Sequence, residues 1–126
     1  MSDNDLDLQI EQNRTFGQSV CEKISQYISK LGFDNAHQIN APVYETAVFN
    51  LQTDPYTQMQ NLMGYWYNAS LQRIGQIKFN SDGSVYAEYD IVLPHPSKKQ
   101  WFVEAINAWG QPDNIKVDAK LLDLPQ

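Results

Sequence analysis

The chain has 126 residues, 42% hydrophobic and 19% charged, the balance of one globular domain spanning residues 1–126. That composition excludes a collagen-like repeat, a disulfide scaffold and wholesale disorder. The formal net charge of −6, from 9 Lys+Arg against 15 Asp+Glu, argues against a basic phosphate-gripping face, so no nucleic-acid partner is expected.

The acidity is local. Residues 1–11 hold Asp3, Asp5, Asp7 and Glu11 and no base, which leaves −2 on the rest of the chain. This leader reads as solvated and frayed. It lacks the basic and apolar regions of a secretory signal, and no apolar run approaches the ~18 residues of a membrane helix. The expectation is a cytoplasmic protein with no membrane partner. The 13 Gln and 10 Asn are scattered rather than in runs, so they read as neutral polar surface.

The first periodic segment holds Leu6, Ile10, Phe16, Val20, Ile24, Tyr27, Ile28 and Leu31, and from Phe16 onward these lie on one stripe of an α-helix that starts near Thr15 or, a turn or two earlier, at Asp7. Thr15 and Gln18 have the spacing of a capping box, and Leu31-Gly32-Phe33 reads as a glycine stop. Residues 34–42 are a connector. Strands follow: 43–52 (VYETAVFNLQ), 62–67 (LMGYWY), 73–80 (RIGQIKFN) and 84–93 (SVYAEYDIVL).

The hairpin around Ser81-Asp82-Gly83 has a register that burial decides. A two-residue turn would mix apolar and charged side chains on both faces. A three-residue loop with Gly83 left-handed pairs Phe79 with Val85, Ile77 with Ala87 and Gly75 with Tyr89, gathering one apolar face. After Pro94-His95-Pro96, a second helix is predicted. Ser97 and Gln100 would cap it, and Trp101, Phe102, Ala105, Ile106 and Trp109 would form its stripe before Gly110 and Pro112. A last strand covers about 114–122. The fold class is α+β in the order α-β-β-β-β-α-β, a mostly antiparallel sheet with two helices packed on one face.

The face opposite those helices is expected to carry Tyr44, Thr46, Val48 and Asn50, then Met63, Tyr65 and Tyr67. The hairpin adds Ile74, Gln76, Lys78, Tyr86, Glu88, Asp90 and Val92, and the last strand Lys116, Asp118 and Lys120. Tyrosine and methionine supply large apolar area with adaptable edges, as protein interfaces do. Tyrosines also suit any half-exposed antiparallel face, where cross-strand pairs add ~0.2–1 kcal/mol each.

Catalytic signals are sparse. His37, His95 and the single Cys21 have no metal-ligand spacing, and no phosphate loop or nucleotide fingerprint is present, so no metal and no cofactor are expected. Cys21 reads as a small buried thiol beside Val20 and Ile24. His95 is held between two prolines, and with Asp90 and Glu104 nearby it would make a general base. The prolines equally serve to end a strand and turn the chain. Glu88 and Asp90 share one strand face, as neighbouring acids on exposed strands often do.

Tyr67-Asn68-Ala69, Arg73, Asp82-Gly83 and Tyr89-Asp90 together resemble one unit of the tyrosine–aspartate repeats of large bacterial shell proteins. The likeness covers about 24 residues and departs from that pattern with Asn68 in place of Asp; those proteins carry many tandem copies, and this chain carries one. In organisation the chain is similar to small acidic secretion chaperones, which also begin with a helix, continue through an antiparallel sheet and pair into dimers.

The leading expectation is therefore a small non-catalytic protein that binds another protein, or itself as a homodimer, through Tyr44, Met63, Tyr65, Tyr67 and Tyr86. An alternative is a small-ligand-binding protein or enzyme with its site around His95, Asp90 and Glu104 at the start of the second helix. A third is a toxin-neutralising or antidefence protein that blocks a basic enzyme.

Overall fold

Two helices lead the chain, α1 (Asp3–Gln12) and α2 (Arg14–Lys30). They are separated at Asn13, whose backbone N–H and side-chain amide both donate to the Gln9 carbonyl, at 3.1 and 2.9 Å. The computed structural model describes residues 3–31, 41–94 and 101–123, with side chains over 5–31, 41–91 and 105–119. From Asp3 the acidic leader is thus helical, because Leu6 and Ile10 give it an apolar edge that packs against the core. On α2 the predicted stripe is buried at Val20, Ile24 and Ile28, with Cys21 buried beside it, and the helix ends where Leu31 N–H bonds the Tyr27 carbonyl.

A short 3₁₀ turn (Tyr44–Thr46) leads into six strands: β1 (Val48–Thr53), β2 (Gln60–Tyr67), β3 (Arg73–Phe79), β4 (Val85–Pro94), β5 (Trp101–Gln111) and β6 (Asn114–Asp123). They form one sheet in chain order, every neighbouring pair antiparallel. Alternation then builds the core. Rows such as Phe49, Gly64, Ile77, Ala87, Ala108 and Val117 run across all six strands on the face that α1 and α2 cover.

The β3–β4 hairpin has the expected register: Phe79 opposite Val85, Ile77 opposite Ala87, Gly75 opposite Tyr89. Its loop closes with Asn80 N–H to the Ser84 carbonyl at 2.9 Å, and Gly83 is left-handed at φ 91°. The Asp82 carboxylate accepts from both Ser84 Oγ and Ser84 N–H, which hold it below the usual carboxylate value.

Three expectations need correction. The fold is α+β with two helices on a mostly antiparallel sheet, but both helices precede the sheet. The segment predicted as the second helix is strand β5 from Trp101 onward; Pro96, Ser97 and Gln100 lie outside the described residues. Its apolar residues satisfy a helical stripe, yet β4 and β6 offer backbone partners on both edges, and its aromatic and β-branched residues suit a strand. Ile106 and Ala108 face the core while Asn107 and Trp109 alternate with them. Gly110, at φ 130°, together with Pro112, turns the chain into β6 rather than stopping a helix. The third correction is at the first strand, which begins at Val48, because Tyr44–Thr46 is a 3₁₀ turn.

Candidate functional site

Strand register places two rows side by side on the face away from α1 and α2. One runs Asn50, Met63, Lys78, Tyr86, Trp109, Lys116 from β1 to β6. The next runs Val48, Tyr65, Gln76, Glu88, Asn107, Asp118. The first row carries two lysines and no acid. The second carries two carboxylates and no base.

Several polar edges of the face are tied within the sheet. Tyr86 Oη donates to Asn107 Oδ1 at 3.0 Å, and Gln52 Nε2 donates to Tyr65 Oη at 3.0 Å. The Arg73 guanidinium lies 5.2 Å from the Tyr65 ring centroid, a cation–π contact. Partial burial, then Glu88 and Asp90, raise the Tyr86 phenol above its ordinary value, so it stays a neutral donor. Tyr65 and Tyr86 are thus held by neighbours within the sheet.

The expected contact residues divide. Tyr65 and Tyr67 lie on this face, Tyr65 half-buried and Tyr67 exposed, and Tyr86 is 42% exposed. Met63 points the same way but is only 7% exposed, so it offers a partner little surface. Tyr44 is a correction: it is 1% exposed, in the core, with its hydroxyl donating to the Ile10 carbonyl at 2.6 Å. The 3₁₀ turn swings it under α2 instead of along the sheet. Trp109, 37% exposed and directly opposite Tyr86, lies on this face and not on the expected helical stripe. The signal for it is the period-two run Ile106, Asn107, Ala108, Trp109 ahead of the Pro112-Asp113-Asn114 turn.

Of the His95 constellation, the structure describes one side chain. His95 and the Glu104 side chain lie outside the described residues; Asp90 is half-buried on β4 opposite Ala105. From Trp101 onward the segment is strand β5.

Elsewhere, polar groups gather around the 3₁₀ turn. Arg14 bonds Glu11 at 3.0 Å and Glu45 at 3.3 Å, and Gln18 donates to the same Glu45 oxygen. The Gln18 amide, with backbone and Arg14 contributions behind it, holds Glu45 below its ordinary value. The hollows on either side of the turn measure about 270 and 250 Å³. Both fall short of the ~300–1,000 Å³ usual for small-molecule sites. Their charged groups are engaged with each other, so this is a strap fastening the turn to the helices. Cys21 beside it is buried, which pushes its thiol up to about 12 and makes it a poor nucleophile.

Among the described residues no group of three or more His, Cys, Asp or Glu is arranged to hold a metal, and no helix is long and apolar enough to cross a membrane. No protein-family model, curated protein or solved structure matches the chain.

Proposed function

We propose that the protein works by binding another protein through the sheet face centred on Tyr86 and Trp109, acting in the cytoplasm and without catalysis, cofactor or nucleic acid. One observation carries this reading. Two large aromatic side chains sit directly opposite each other on the sheet, both substantially exposed, with Lys78 and Lys116 beside them in the same row. Aromatic anchors inside a polar surround are the usual energetic centre of a protein interface. The hydrogen bond from Tyr86 to Asn107 lowers the entropy lost when a partner arrives.

The test is site-specific photo-cross-linking in the native host. A photoreactive residue at position 109 is expected to give discrete protein adducts that a probe at Lys23, on the exposed side of α2, does not. Equal labelling from the two positions would refute the reading.

A further inference from the structure

We propose that the partner of this face is a second copy of the chain, stacked sheet on sheet about a two-fold axis. The axis runs across the strands, between the lysine row and the carboxylate row. The proposal rests on the protein-binding reading above and names its partner.

Charge selects this arrangement. Lys78 and Lys116 lie in one row, and Glu88 and Asp118 in the adjacent row, on β3, β4 and β6. A two-fold axis across the strands lays the lysine row of each copy on the carboxylate row of the other, with Lys116 facing the partner copy's carboxylate at position 118. An axis along the strands would instead lay each row on its own kind, lysine row on lysine row and carboxylate row on carboxylate row. Of these two axes, the one across the strands brings unlike charges together, as an isologous interface requires.

These charges are available. Among the described residues Lys78, Glu88 and Lys116 form no ion pair within their own sheet, although their rows are adjacent; the ion pairs found there belong to Arg14. Asp118 accepts the N–H of Ala119 at 2.7 Å, which leaves its second carboxylate oxygen for a lysine. Tyr86 and Trp109 lie between the two lysines and supply the apolar centre.

The area is sufficient. Six strands at a spacing of about 4.8 Å, each about eight residues long, present a face of about 600 Å². Two such faces bury about 1,200 Å² together, the lower bound of stable, specific interfaces. Sheets stack in this way at about 10 Å with strands roughly 30° off alignment.

The experiment is mass measurement by light scattering and sedimentation across a concentration series, with circular dichroism confirming that each variant folds. The wild type is expected at twice the 14.5 kDa chain mass. Lys116→Asp sets acid against acid twice in the dimer and is expected to weaken association on the order of a hundredfold. Asp118→Lys alone should do the same, and the two together should restore the dimer. Tyr86→Asp, two strands in from the β6 edge, should also give monomers.

A dimer indifferent to Tyr86→Asp would place association elsewhere and overturn the proposal. So would failure of the double exchange to restore what the single exchanges break. A wild type that stays monomeric up to roughly millimolar concentration overturns it as well. In that case adducts from position 109 to a different protein would keep the protein-binding face, and absence of any adduct would remove both.

Discussion

Tyr44 shows how much one side chain can decide. It fills the space above Gly17, where an added Cβ would stand 2.2 Å from the Tyr44 ring, and packs against Phe49 and Phe79. Burial, with Glu11 and Glu45 adding to it and Arg14 opposing it, raises its phenol from 10.0 to about 12. Burial raises the neighbouring Cys21 thiol from 9.0 to about 12. In each case the folded state keeps a proton that the unfolded chain releases sooner. Their contribution to stability is complete below pH 9 and is lost as pH rises toward 12. Urea midpoints should therefore fall between pH 8 and pH 11, and fall less in the Cys21→Ala, Tyr44→Phe double variant. Identical pH slopes in the two proteins would contradict this assignment. From sequence, Tyr44 is indistinguishable from the strand tyrosines Tyr65, Tyr67 and Tyr86, because its direction is set by a 3₁₀ turn that alternation does not report.

Among the elements, the two tight hairpins differ in what fixes them. At Gly83 an added Cβ would approach nothing closer than Gln111 Oε1 at 3.5 Å, so the demand is the left-handed backbone alone. At Gly110 the Cβ would lie 2.1 Å from the Asn114 carbonyl oxygen, a backbone atom that cannot rotate away. Gly83→Ala should cost about 1 kcal/mol and Gly110→Ala about 2–3 kcal/mol by denaturant titration. Equal losses would mean that the β5–β6 turn relaxes freely. The same two hairpins mark where the sequence was legible. For β3–β4, the apolar alternation and the Asp82-Gly83 turn agreed on a single register, and the chain adopts it. For β5 the spacing of Trp101, Phe102, Ala105, Ile106 and Trp109 fitted a helix as well as a strand. What decides between them is hydrogen bonding to β4 and β6, which depends on residues distant in the chain. A helix over that segment would take Trp109 off the sheet face, where β5 places it. The Tyr-rich face was legible only as far as the strands were.

For the molecule as a whole, the two helices hold unequal positions. α1 packs at the β1–β2 side of the sheet, whereas α2 reaches β5 and β6. Among the described residues, the hydrophobic side chains with no exposure, Val20, Ile24, Ile77, Ala87, Ile106 and Ala108, lie on α2 and the three strands β3 to β5. Backbone amides of β4, paired on both edges beneath that layer, should exchange with solvent only on global unfolding. Those of α1 should exchange through local opening, orders of magnitude faster. Native-state hydrogen exchange measures both. Equal protection would mean that the helix pair and sheet unfold as one unit.

The order of the strands in space is their order in the chain, and α2 packs at the far end of that order, on β5 and β6. A ribosome releases α2 well before β5 and β6, the strands it packs on, at ~5–20 residues per second. For several seconds the helix must carry a bare apolar stripe while the sheet grows one hairpin at a time. The nascent chain's exposed period, and the hazard of capture by chaperones or of aggregation, is thus written into the distance between Val20 and Ala108.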